Sequence, residues 1–113
     1  DYEPGTVVKI GGDAEITMTT SHADTDVFGV ISTAPAYLMN KDAEGLPVAL
    51  QGRVPVSVIG AVKKGERLVS SDVPGIAWAL GDDKYDSRAI IGRALHSKED
   101  GDVGIVEAVI GVK

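Results

Sequence analysis

Short apolar segments, separated by glycine, proline and charged turns, run along the whole chain. Residues 14–19 alternate apolar and polar side chains, which is typical of a half-buried strand. Residues 27–32 form a continuous apolar run of strand length. Residues 48–59 form a longer run that contains Gly52 and Pro55, and these two residues indicate a bulge or an edge position.

The other apolar segments are also short and are bounded by turn residues. Further strands are predicted over residues 6–10, 67–70, 76–79, 89–95 and 105–110. Helical turns fit only residues 58–64 and the stretch after Pro35. The pattern therefore predicts one all-β domain over residues 1–113, a small barrel or sandwich of about eight short strands with little helix.

Segments in the two halves of the chain resemble each other. The matching pairs are Gly5 with Gly65, Val8 with Leu68, Ile16 with Ile76, and residues 27–32 with 90–95, at offsets of 60 to 63 residues. Two interpretations stay open: two related β units packed together, or unrelated strands that look alike because glycines bound them.

Charge and composition exclude several classes of partner. The chain has 17 acidic and 11 basic residues and a net charge of −6, which repels nucleic-acid phosphates and anionic lipids. No apolar run approaches the roughly 20 residues of a membrane helix. There is no cysteine, so disulfides and thiolate metal sites are excluded. We expect no nucleic-acid partner, no membrane insertion and no cofactor.

Candidate chemical groups are few and scattered. His22 and His96 lie beside polar turns in unrelated segments, without the spacing of a metal site, so we interpret both as exposed loop residues. The acidic loops at 82–86 and 99–102 fit solvated turns better than a calcium site, because no acidic residue closes either loop in the EF-hand register. We therefore predict no catalytic residue, no metal site and no enzyme activity.

Two kinds of segment are candidates for contact with other molecules. Residues 34–39 are apolar but contain a proline that does not suit a central strand, so they form either a core-covering loop or a subunit contact. The candidate interface residues are Pro35, Ala36, Tyr37, Leu38 and Met39. The polar loops at 21–26 and 82–87 are candidate recognition loops, with the residues His22, Asp24, Asp26, Asp83 and Tyr85.

One long segment carries a family resemblance. Residues 27–40, VFGVISTAPAYLMN, resemble the GV(I/V)ST-x-PAYLMN segment in C-terminal regions of tail-fibre and other virion proteins of tailed bacteriophages. The opening YEPGTVV at residues 2–8 and the later VALQGRVP, KGERLV and IGRAL segments continue the likeness over nearly the whole chain. Residues 29–40 are more distantly similar to the G2 peptidase domain. That domain is an intramolecular chaperone at the C-terminal end of phage appendage proteins.

The resemblance implies a structural and trimerising module of a virion tail fibre or appendage that assists fibre assembly. It implies a virion location, a homotrimer, contact with the rest of a longer fibre chain, and a part in host attachment. Two alternatives remain, a tip that binds a host-surface receptor or glycan, and a self-cleaving chaperone. No cleavage dyad matches residue by residue, so no catalytic residue is carried over. Asp1 fits either an end left by cleavage or an arbitrary boundary.

Overall fold

A computed structural model describes residues 3–10, 16–32, 38–41, 47–81 and 87–111. Within these ranges the chain forms nine strands and one turn of 3₁₀ helix, η1, at Ser87–Ala89. The strands are β1 Val7–Ile10, β2 Ile16–Met18, β3 Val27–Ile31, β4 Leu38–Lys41, β5 Pro47–Ile59, β6 Arg67–Ser70, β7 Ala77–Ala79, β8 Gly92–Ala94 and β9 Val103–Ile110. The all-β prediction is confirmed.

Strand β5 belongs to two parts of the fold. Its second half pairs with β9 from Gly52, opposite Ile110, to Ile59, opposite Val103. The hydrogen-bonded order β5–β7–β6–β8–β9 then returns to β5, so five strands close a barrel. Its first half pairs with β3 on one side and with β4 on the other. Strand β3 in turn pairs with β1, and β1 pairs with β2. One continuous strand therefore joins the barrel to an outer sheet.

The core follows from the two-residue period of the strands. The side chains of Val54, Val56 and Val58 on β5 are at most 3% exposed, as are those of Val106 and Ile110 on β9. Alternate residues of a strand point to opposite faces, so these residues line the barrel interior. Branched aliphatic side chains fill it, as expected for a chain with few aromatic residues.

The two halves of the chain share one pairing register. Val30 lies opposite Ala49 where β3 meets β5, and Arg93 lies opposite Val109 where β8 meets β9. The offset of 63 residues between Val30 and Arg93 is the one that the sequence comparison predicted, and their partners Ala49 and Val109 are 60 residues apart. The match of Ile16 with Ile76 is wrong by one residue, because Ala77 is the residue that takes its place in the register.

The same turn opens each half. The amide of Gly5 donates to the carbonyl of Ile31 at 2.7 Å, and the amide of Gly65 donates to that of Ala94 at 2.7 Å. The shared register and the shared turn support the interpretation of two related β units over that of chance resemblance.

Three local predictions need correction. Residues 89–95 are not one strand, because Ala89 ends η1 and the strand covers only Gly92–Ala94. Residues 58–64 form no helical turn, since β5 runs to Ile59 and Val62 makes a β-bridge with Lys98. Of the stretch after Pro35, the described residues Leu38–Lys41 form strand β4 rather than a helical turn. In each case pairing with a distant segment overrides the local pattern.

The prediction of a bulge or an edge position at Pro55 is wrong, because Pro55 lies inside the continuous ladder of β5 with β9. It lies opposite Glu107, whose carbonyl accepts from the amide of Leu95 and so points away from β5. The pair is therefore a non-hydrogen-bonded one, in which the missing amide of proline costs no ladder bond to β9.

Lys98 closes one end of the barrel. Its ammonium lies 3.0 Å from the carbonyl of Gly60 and 3.1 Å from that of Asp100, and it also donates to the carbonyl of Asp102. It forms an ion pair with the Asp100 carboxylate at 2.9 Å. Its side chain lies so close to Gly104 that a Cβ there would stand 3.0 Å from Lys98 Cε. One cation thus ties the end of β5 to the turn before β9.

The pKa of Asp100 lies below its ordinary value, chiefly because Lys98 donates a hydrogen bond to the carboxylate and secondly because the Asp102 amide does. A lowered pKa in the folded state contributes stability above the ordinary carboxyl pKa. That contribution is lost as the pH falls through the lowered value.

Replacing Gly92 tests the close approach of β8 to β9. A Cβ at Gly92 would lie 2.1 Å from the Val109 carbonyl oxygen. Because that oxygen belongs to the backbone, only a shift of the backbone can relieve the clash. We expect Gly92→Ala to lower the free energy of unfolding by about 3 kcal/mol or more, measured by urea denaturation. Gly101→Ala is the matched control, because no atom lies within 4 Å of its added Cβ. Equal stabilities of the two variants would contradict this account.

Replacing Lys98 tests the cation at the barrel end. Lys98→Met keeps an alkyl chain beside Gly104 but leaves the carbonyls without their donor, so we expect a loss of about 2 kcal/mol in unfolding free energy. Lys63→Met, at an exposed position, should change it by less than about 0.5 kcal/mol. The difference between wild type and Lys98→Met should shrink as the pH is lowered below the carboxyl range. A difference that grows in acid would show that Asp100 is not part of the contribution.

Candidate interaction surfaces

Strand β6 anchors the predicted recognition loop at 21–26. The Ser70 hydroxyl donates to the Ser21 carbonyl at 2.6 Å and accepts from the Asp24 amide at 2.9 Å. The Ser70 carbonyl accepts from the amide of Ala23, which adopts a left-handed φ of 51°. A buried residue of the barrel therefore fixes the backbone of this loop.

The carboxylate of Asp24 organises the same loop from within. It lies 3.2 Å from the Lys9 ammonium, and it accepts from the Asp26 amide at 2.9 Å and from the Ser21 hydroxyl at 3.4 Å. Its side chain is only 8% exposed. These contacts hold the loop in shape, so the Asp24 carboxylate is engaged within the chain rather than presented to a ligand.

His22 and Trp78 form the aromatic part of this surface. The Trp78 indole Nε1 donates to His22 Nδ1 at 2.8 Å, and the two rings meet edge to face with centroids 5.3 Å apart. Because Nδ1 accepts this bond, the neutral imidazole carries its proton on Nε2. The structure thus brings His22, Asp24 and Asp26 together on one loop and adds Trp78 from β7, which the sequence did not associate with them.

The strongest apolar exposure lies elsewhere, on the outside of the barrel. Val103 and Ile105 of β9 are 52% and 58% exposed, and they are the exposed large hydrophobic residues in the described part of the chain. Because they are two residues apart, both point to the same side of the strand. We call this surface the ribbon face, defined by Arg53, Pro55, Ser57 and Ile59 of β5 with Val103, Ile105, Glu107 and Val109 of β9.

The charges on the ribbon face are weakly paired. Arg53 Nε and Glu107 Oε1 are 4.0 Å apart, and both side chains are partly exposed. The other carboxylate oxygen of Glu107, Oε2, is buried and has no hydrogen-bond partner among the described residues. A buried carboxylate oxygen without a donor is costly. The Glu107 side chain as a whole is still 38% exposed, so its carboxylate can be reached by a donor from another molecule.

Neighbouring parts of the barrel exterior are covered. On β6, Val69 is fully buried beneath Leu80, Ala89 and Ile90, and Ala23 and Trp78 pack against that cluster. The 3₁₀ turn η1 supplies one of these covering residues, Ala89. On the ribbon face, in contrast, Val103 and Ile105 remain more than half exposed, although Gly5 lies beside Ser57 and Ile105.

The apolar face of β9 left a sequence signal that the strand prediction did not use. Residues 103–110 carry apolar side chains at both odd and even positions, including Val103, Ile105 and Val109 beside the inward Val106 and Ile110. A strand with one solvated face normally alternates instead. The sequence of β9 therefore already indicates that both of its faces carry apolar residues.

The other predicted site residues stay predictions. Pro35, Ala36 and Tyr37, together with Asp83 and Tyr85, lie outside the described residues. Leu38 and Met39 form the start of β4, where they pair with Gln51 and Ala49 of β5.

Searches of known proteins do not place the chain in a family. A scan against protein-family models and a search of curated proteins both found no match. The described residues contain no group of three or more His, Asp or Glu that could hold a metal ion. Nor do they include a helix with the length and hydrophobicity needed to cross a membrane.

Removing the His22 imidazole tests its bond with Trp78. We expect His22→Ala to lower the free energy of unfolding by about 1 kcal/mol, because the half-buried indole loses its acceptor. His96→Ala is the control, since His96 is an exposed histidine on another loop. Equal unfolding free energies of His22→Ala and His96→Ala would refute a stabilising role for the bond to Trp78.

Proposed function

We propose that this domain is a structural assembly module that self-associates, as a trimer, within a virion appendage of the tail-fibre kind. The observation that carries the proposal is the exposure of Val103 and Ile105 on the ribbon face. The resemblance of residues 27–40 to tail-fibre and other virion proteins supplies the biological setting.

Physical chemistry favours an apolar contact between copies of this chain. Each copy carries a net charge of −6, so electrostatic repulsion opposes association. Burial of apolar surface is the term that overcomes it. The ribbon face is apolar toward the end that carries Ile59, Val103 and Ile105, and its charged residues Arg53 and Glu107 lie toward the other end. Apolar surface beside charged residues is typical of an interface core with a polar rim.

A trimer also suits the geometry of the barrel. A threefold ring joins two different patches of each copy, here the β5 and β9 sides of the ribbon face, and its closure leaves no open end to propagate into a fibril. The ribbon face is built on two long, fully paired strands rather than on a loop, so copies meet on a rigid surface. Leu38 and Met39 of β4 remain candidates for a second contact.

Charge placed on the ribbon face should separate the copies. We expect wild type to have about three times its chain mass of 11.7 kDa in light scattering coupled to size exclusion, and Val103→Asp/Ile105→Asp to have one chain mass. Both side chains are exposed in a single chain, so the variant should keep its circular dichroism spectrum.

Thr20→Asp/Ser87→Asp is the matched control, because it adds the same charge at two exposed polar positions away from the ribbon. The control should keep the wild-type mass. A wild-type monomer at all concentrations would overturn self-association of this domain. A multimer that survives in the ribbon variant would overturn the choice of surface.

A further inference from the structure

Next to the ribbon face, no described strand pairs with one edge of β9. Ile105 lies opposite Ser57, and the Ser57 amide donates to the carbonyl of Gly5 at 3.0 Å rather than to β9. The pair is therefore non-hydrogen-bonded, and the N–H and C=O of Ile105 point away from β5. The Glu107 carbonyl, two residues on, points the same way and accepts from the Leu95 amide.

The strand that should cover this edge leaves it early. Pairing of β8 with β9 ends at Ala94, opposite Ala108, and among the described residues the Leu95 bond to Glu107 is the last backbone hydrogen bond between this segment and β9. The chain then turns toward Val62. The Lys98 amide donates to the Val62 carbonyl and the Val62 amide donates to the Lys98 carbonyl, both at 2.8 Å. The contacts of the Lys98 ammonium fix it there. Among the described residues, only β5 pairs with β9 over residues 103–107.

An open groove of about 720 Å³ lies between that departing segment and β9. Ile105 and Pro55 supply apolar lining, and Glu99 and Glu107 supply carboxylates. Glu107 Oε2 is the buried oxygen that has no donor. The one lysine of the groove is already engaged by Asp100, so its charge does not offset these carboxylates.

We propose that this groove binds an extended segment of another protein by strand addition to β9, with a Lys or Arg side chain donating to Glu107. An extended backbone matches the free N–H and C=O of Ile105, and main-chain bonds of this kind give affinity in known strand-addition complexes. Charge complementarity specifies the basic side chain. The groove therefore serves a partner other than a second copy of the ribbon face.

Peptide binding tests the proposal directly. The probe is a fluorescein-labelled hexapeptide, Thr-Val-Lys-Val-Thr-Val, titrated with the whole domain and followed by fluorescence anisotropy. We expect saturable binding that weakens with salt, and at least a tenfold loss for a peptide with Glu in place of Lys. N-methylation of alternate backbone amides should abolish binding, because it removes the ladder donors while keeping every side chain.

Two variants locate the site. Glu107→Gln should lower the affinity for the Lys peptide about tenfold. It should also remove the preference for the Lys peptide over the Glu peptide. Ile105→Pro should fold, because proline is tolerated where the amide faces an open edge, and should lose binding of both peptides. Lys63→Met, an exposed lysine outside the groove, should bind like wild type.

The outcomes are separable from those of self-association. Peptide binding should persist in Val103→Asp, which charges the ribbon face but leaves the groove lining and the edge at Ile105 unchanged, whether or not copies associate. No saturable binding to wild type or to this variant would overturn strand addition. Binding that is unaffected by N-methylation, or that Glu107→Gln and Ile105→Pro leave unchanged, would overturn it equally.

Discussion

The pairing of β5 with β9 is the constraint on which the rest of the structure depends. Eight consecutive residue pairs hold the two strands together, from Gly52 with Ile110 to Ile59 with Val103. Their inward side chains form much of the main core. Because β5 continues into the outer sheet, the same covalent strand sets the position of β3 and β4. Loss of this ribbon would therefore disconnect the two halves as well as open the barrel.

The duplicated register explains why two glycines are required. Gly29 and Gly92 hold the same place in the two halves, and a Cβ at either would lie within 2.4 Å of a carbonyl oxygen on the next strand. The second half closes into a barrel because β5 covers β9, whereas in the first half β4 pairs with β5. Similar units thus serve different purposes, one as a closed barrel and one as a covering sheet.

Local chemistry accounts for what the sequence could predict. Apolar runs between glycine and proline turns define most strands, and glycine spacing revealed the repeat, because these features act within a few residues. Barrel closure and the 3₁₀ turn at Ser87–Ala89 were not predictable, since distant segments impose both. The bond between His22 and Trp78 joins residues 56 positions apart and left no local trace. The recognition loop was predicted as a segment, but not its aromatic partner.

Ile105 shows how one residue can offer two different surfaces. Its side chain extends the ribbon face, where only apolar area and shape matter, while its backbone lies on a strand edge, where hydrogen-bond direction matters. Exposed strand edges favour uncontrolled pairing, and proteins protect them with charge or with a covering segment. Here the edge lies inside a groove with Glu107 and Glu99, so charge restricts which strands can enter. An acidic copy of the same chain is thereby disfavoured at the edge while it remains able to pack on the neighbouring apolar face.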